Sequence, residues 1–197
     1  MHALYPSRPI EKPSRRRASE ALSAASACDT GRMPGLTRDE LDAFLDEPGH
    51  LLRIGTIGTD GLPRVVPIWF IHREGAIWFT PRERSAWLAD LRADPGVCAT
   101  IDESEHPMRK LVARGRAELI HDLGDDDAWR DLYRSIACRY TPERFADAYL
   151  ADTIDEPRAL FRLVLSGAEV STWRMPLVDR GEHPLAVWSK QYYHRSE

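Results

Sequence analysis

The sequence predicts a mainly β fold: an antiparallel barrel with peripheral helices. Three observations carry this reading. Six or seven short stretches of alternating or apolar character follow one another closely. Asp60-Gly61 and Glu74-Gly75 stand between neighbouring stretches, where tight hairpin turns need residues that tolerate a left-handed backbone. Few helical patterns intervene, whereas a doubly wound parallel sheet needs a crossover helix after nearly every strand.

The elements are justified in chain order. Thr37-Arg-Asp-Glu40 reads as a capping box, in which the Thr37 hydroxyl and the Glu40 carboxylate each satisfy an amide of the other. Leu41, Phe44 and Leu45 then share one helical face, and Pro48-Gly49 ends the helix. Leu51–Thr59 is the first strand, Arg64–Ile71 the second and Ala76–Thr80 the third. Gly55 and Gly58 lack the following helix of a dinucleotide fingerprint, so they mark a tight bend or a close approach. Ser85–Ala93 is a short helix stopped at Asp94-Pro95, because a residue before proline avoids helical geometry. Val97–Ile101 and Leu111–Ile120 are further strands. Asp125–Arg139 carries a helical stripe of Trp129, Leu132, Tyr133, Ile136 and Ala137. Thr141-Pro142 opens another helix, with Thr as cap and Pro in the first turn. Ala159–Val164 and Glu169–Trp173 are the last strands.

The flanks differ. Residues 1–34 are rich in Pro, Ser, Ala and Arg with little apolar periodicity, and read as a disordered basic tail. Arg15–Arg17 invites a twin-arginine export signal, but the stretch that follows lacks bulky apolar residues; a start codon chosen ahead of Met33 is the competing account. The folded domain is expected over 35–175. Residues 176–197 form an irregular extension with Trp188, Tyr192 and Tyr193, which could cover a groove.

Composition narrows the function. Of 197 residues, 43% are hydrophobic and 29% charged, an ordinary globular balance, and no apolar run is long enough for a transmembrane helix. A formal net charge of −4 gives no electrostatic reason to expect nucleic acid as a partner. Cys28, Cys98 and Cys138 are odd in number and widely spaced, which suits a reducing cytoplasm and not a metal cluster. There is no G-x-S-x-G, no P-loop, and no pair of histidines at helical spacing.

What remains is aromatic and cationic. Trp69, Phe70, Trp78 and Phe79 crowd one hairpin. Arg64 opens a strand; Thr80, Arg82, Arg84 and Ser85 follow another and lead into a helix; Lys110 and Arg114 enter a later strand. Hydroxyls and guanidiniums before a helix N-terminus suit a phosphate, and flat aromatic surface suits a planar ring. The competing role is plain: solvated arginines on a strand edge and ordinary core tryptophans.

The block Leu51–Ile120 resembles the FMN-binding split-barrel superfamily, the pyridoxamine-phosphate oxidase-like proteins, and within it the flavin- or deazaflavin-dependent reductases. The resemblance is carried by TIGTDGLPRVVPIWF, GAIWFT, SAWLADLRADPGV and VARGRAEL in that order. It implies a six-stranded split barrel, a homodimer, and cofactor in grooves between subunits. It implies that Arg64 reaches the phosphate side, with Val66, Pro67 and Trp69 further along that strand. It implies that Trp78, Phe79 and Thr80 run along the ring system, that Ser85 opens the phosphate helix, and that Lys110 contacts the ring or its chain.

Two departures stand out. Trp69 replaces a lysine of the oxidases, and Ala86-Trp87 replaces an Arg-Lys pair. Arg82 and Arg84 are the available substitutes, since a guanidinium binds phosphate bidentately. The departures argue against pyridoxamine-phosphate oxidase activity itself. They leave FMN, a deazaflavin (coenzyme F-420) or haem as cofactor. The expected function is an oxidoreductase of small organic substrates, the alternative a non-catalytic flavin or haem carrier or sensor. Tyr133, Tyr140 and Tyr192-Tyr193 are candidate proton donors or lids, with packing as the competing role.

Overall fold

A computed structural model describes residues 34–182, so the expectations for the tail before Pro34 and for the extension beyond Glu182 lie outside the described residues. Helix α1 (Arg38–Asp46) is followed by β1 (Leu52–Ile57), β2 (Pro63–Ile68), β3 (Ile71–Arg73) and β4 (Ala76–Phe79). Helix α2 (Ala86–Ala93) leads to β5 (Gly96–Asp102), β6 (Lys110–Arg116) and β7 (Glu118–His121). A 3-10 turn at Asp126–Trp129 opens the helical pair α3 (Arg130–Cys138) and α4 (Glu143–Asp152), and β8 (Leu160–Val164) and β9 (Glu169–Trp173) complete the fold.

The strands form two antiparallel sheets, ordered β2-β1-β5-β6-β9 and β3-β4-β8-β7. The mainly β, antiparallel expectation agrees with this. The six-strand count does not: the described residues hold nine strands in two sheets, with no closed barrel. The extra strands come from two expected strands that break. Arg64–Ile71 divides around Trp69-Phe70, and Leu111–Ile120 divides at Ala117, so each half joins a different sheet. The second break has a steric cause. A Cβ on Gly115 would lie 3.0 Å from Leu163 and 3.2 Å from Ala168, so the two sheets converge where the chain passes from one to the other.

Local chemistry explains most boundaries. Around α1 the capping box is present, Thr37 Oγ1 accepting from the Glu40 amide at 3.2 Å and Glu40 Oε2 from the Thr37 amide at 2.9 Å. Glu74 and Gly75 have φ of 55° and 70°, the left-handed pair that joins β3 and β4 in a two-residue hairpin. Gly58 permits a close approach, since a Cβ there would meet the Leu62 carbonyl at 3.1 Å. Thr141-Pro142 behaves differently from expectation: Pro142 is itself the cap position of α4, and no side chain caps that helix.

Strand β4 of the four-stranded sheet is buried on both faces, which accounts for the aromatic hairpin. Ile77 and Phe79 face the main core, built from α1, α2 and the five-stranded sheet; Phe79 stacks on Phe161 at 6.0 Å. Ala76 and Trp78 face a second core formed with Trp129, Tyr133, Ala146 and Leu150 of the helical insertion. All four β4 residues are buried. The five-stranded sheet keeps its outer face open: Pro63, Val65 and Pro67 on β2, and Cys98 on β5, are exposed. No described helix is long and apolar enough to cross a membrane.

Candidate functional site

A groove of about 310 Å³ opens where the ends of β2 and β4, the start of α2 and the helical insertion meet. Its floor is Pro67, Ile68 and Trp69 from β2 and its continuation, with Thr80, Arg82, Ser85 and Trp87 from the β4–α2 connection. Its cover is Tyr133 of α3, Tyr149 of α4 and Arg158 just before β8.

Trp69 is fixed between two tyrosines. It stacks on Tyr140 with centroids 5.1 Å apart and planes 4° from parallel, and meets Tyr149 edge-on at 5.5 Å. Tyr140 is a pillar and not a proton donor: its hydroxyl donates to the His50 carbonyl at 2.7 Å and accepts from the Phe70 amide at 3.2 Å. Burial also pushes its phenol above the ordinary value.

The polar groups divide sharply. Ser85 Oγ donates to the Arg82 carbonyl at 2.6 Å, which folds the connection, and no side chain caps α2. Arg82 pairs with Glu156 at 2.6 Å and donates to the Tyr149 hydroxyl at 2.6 Å. Arg158 is 5% exposed and lies over the Tyr133 ring at 4.5 Å. Its guanidinium also donates to Tyr149, at 3.3 Å. Burial raises the Tyr133 phenol well above the ordinary range. For Tyr149, burial alone would do the same, but the Tyr133 hydroxyl and the two guanidiniums outweigh it and lower the phenol.

Of the twelve residues expected from sequence, Pro67, Trp69, Thr80, Arg82, Ser85 and Trp87 line this groove. The other six do not. Arg64 lies at the far end of β2 from the groove and pairs through Nε with the buried Asp90 at 2.9 Å. Val66 packs against the main core. Trp78 is held in the second core, its indole donating to the Arg73 carbonyl at 3.0 Å, and Phe79 is fully buried. Arg84 is exposed beside a smaller recess of about 200 Å³. Lys110 lies over Trp173 at 4.7 Å, on the β6–β9 edge. Sequence reasoning missed Tyr149 and Arg158 as groove residues. Nothing local marks either one; a long-range fold brings them over the floor.

Two packed antiparallel sheets with an aromatic and cationic groove where they meet define a split-barrel protein. The sequence profile described as pyridoxamine 5'-phosphate oxidase matches residues 37–171, and the chain belongs to that family. Similar solved structures include a conserved hypothetical protein from Mycobacterium tuberculosis, with 20% identity, TM-score 0.56, and coverage of 82% of this chain and 95% of that one. An FAD-binding protein from Mesorhizobium loti has 22% identity, TM-score 0.52, and coverage of 72% and 96%. An F420 reductase has 23% identity, TM-score 0.50, and coverage of 66% and 94%. No curated protein matches the chain.

Proposed function

We propose that this protein is an oxidoreductase of small organic molecules that holds FMN or a deazaflavin in the groove, between two copies of the chain. The observation that carries the reading is the meeting of flat aromatic surface with cationic and hydroxyl groups around one volume of about 310 Å³. That volume is at the low end for a small-molecule site, so a second subunit would be needed to enclose such a ligand. Pro67 supports this: it lines the groove and also belongs to the exposed row Pro63, Val65, Pro67 of β2. A partner seated on that row would form the groove's outer lip.

The residues present fit the cofactor. Trp69 and Trp87 would flank the ring system, and Arg82 with the uncapped first turn of α2 would take the phosphate. Such a cofactor, when bound, supplies the hydride chemistry. This chain's residues bind it, orient it and exclude water. The only haem-ligand types among the lining residues are Tyr133, whose phenol burial raises, and Tyr149, whose hydroxyl is taken by Arg82 and Arg158, so haem is not the reading put forward. Binding is tested by the absorption spectrum and fluorescence of the purified chain after incubation with FMN, riboflavin or deazaflavin. Uptake with a preference for FMN over riboflavin is expected, and Arg82→Ala should weaken that preference about tenfold or more. A chain that takes up none of the three overturns the proposal; tight binding without turnover with reduced nicotinamide or reduced deazaflavin favours the carrier alternative.

A further inference from the structure

The cover of the groove carries a charge that the fold does not balance. Nearly every other buried or half-buried arginine among the described residues has a carboxylate or carbonyl partner: Arg64 has Asp90, Arg109 has Glu47 and Glu103, Arg139 has three backbone carbonyls, and Arg174 has Glu182. Arg158 is as buried as any of them, yet its guanidinium has no ion pair among the described residues and rests on two aromatic rings and one phenol oxygen. An uncompensated buried cation is costly.

The donors around it are also short of acceptors. The Trp129 indole nitrogen is buried without a hydrogen-bond partner, and the Tyr133 hydroxyl, although near enough to the Tyr149 hydroxyl to lower its phenol, makes no well-formed hydrogen bond. Both line a small recess with Arg158, about 10 Å³ in volume, next to the groove, of which Tyr133 and Arg158 are also lining residues. That is room for one oxygen atom. The nearby charges are accounted for. Glu156 is paired with Arg82, Arg130 with Asp127, and Asp126 Oδ1 accepts from the backbone amide of Arg158. The side chain of Arg158 is the cation left over.

We propose that Arg158, with the Tyr133 and Tyr149 hydroxyls, is a subsite for the carboxylate of the reactant that enters the groove, so that the substrate is a carboxylate-bearing molecule. One cation suits a monoanion, and a recess for one oxygen suits a flat carboxylate better than a tetrahedral phosphate dianion. The inference rests on the cofactor reading above only in calling the occupant a substrate.

The test uses the full chain and defined probes. Binding of benzoate and of its neutral counterpart benzyl alcohol is measured by calorimetry and by tryptophan fluorescence, beside FMN and riboflavin. Benzoate is expected to bind about tenfold or more tightly than benzyl alcohol. Arg158→Gln should abolish that preference while leaving the ratio of FMN to riboflavin affinity unchanged, and Arg158→Lys should restore part of it. Thermal melting checks that each variant is folded; Tyr149→Phe, which keeps the ring, gives a second reading if Arg158→Gln is not. Equal affinity for benzoate and benzyl alcohol in the parent overturns the subsite, leaving a buried water as its occupant. Loss of the FMN preference in Arg158→Gln also overturns it, because the anion held is then the cofactor phosphate. Benzoate binding without any flavin uptake supports the subsite and removes the cofactor reading; flavin uptake without benzoate preference removes the subsite alone.

Discussion

Arg64 shows how a residue of the expected type can serve a different need. Asp90 is 2% exposed, and its carboxylate accepts from Thr56 Oγ1 and from Arg64 Nε, each at 2.9 Å. Without the guanidinium a carboxylate would stay buried on a single hydroxyl. Arg64→Ala is therefore expected to lower stability by about 2 kcal/mol, less than for a fully buried pair because the arginine is partly in water. Urea denaturation measures the loss, and FMN affinity should not change. Sequence could supply Arg64, Asp90 and Thr56 only as separate letters. Their meeting depends on β2 pairing with β1 in a register that turns Arg64 inward, and on α2 crossing beneath. Trp69 was legible as a flat aromatic surface in the hairpin, but its place on the groove's floor was not, because it lies in the break between β2 and β3 and is set by stacking on Tyr140.

At the scale of elements, two ion clusters tie loops to the core. Arg109 donates to Glu47 after α1 and to Glu103 after β5, with contacts of 2.6 to 2.9 Å. Its hydrogen bonds hold the Glu47 carboxyl below the ordinary value; Glu103 is lowered too, Arg109 overcoming the opposite effect of burial. Arg109→Met would strand two carboxylates side by side and is expected to cost about 3 kcal/mol, read from a shift in the urea midpoint. Arg174 grips Glu182 in the same way, and that hydrogen bond brings the glutamate down to about 2. A depressed carboxyl contributes stability above its unfolded value, about 4.5, and that contribution is lost as pH falls from there toward 2. Thermal melts across that window should show the parent losing an increment that Glu182→Gln lacks. The helical insertion was legible as a pair of helices from the stripe at Trp129, Tyr133 and Ile136. Its docking partner was not, because a stripe says that a face is buried and not against what.

For the whole molecule, the open question of assembly has a direct handle. Val65 is 65% exposed, Leu62 65% and Ile57 48%, at the β1–β2 end of the outer sheet face. Exposed apolar rows of this kind are the surface on which the proposed second copy would sit. Under the proposed assembly, Val65→Asp is expected to shift the chain toward monomer, measured by light scattering, and to weaken the proposed flavin uptake with little change in monomer unfolding. The antiparallel β class could be read from hairpin turns and short strands. The division into two sheets could not, because it turns on breaks at Trp69-Phe70 and Ala117, where the letters continue to alternate while the backbone changes partners.

Tyr133, Tyr149 and Arg158 all arrive on one excursion that leaves the small sheet after β7 and returns at β8, two strands bonded to each other. The pocket's ceiling is thus carried by a single insertion between two paired strands, while its floor comes from the ends of β2 and β4 and the start of α2. Because Tyr140 and Tyr149 of that same insertion also clamp Trp69 below, roof and floor are coupled, and replacing the insertion would loosen Trp69 as well as remove Arg158.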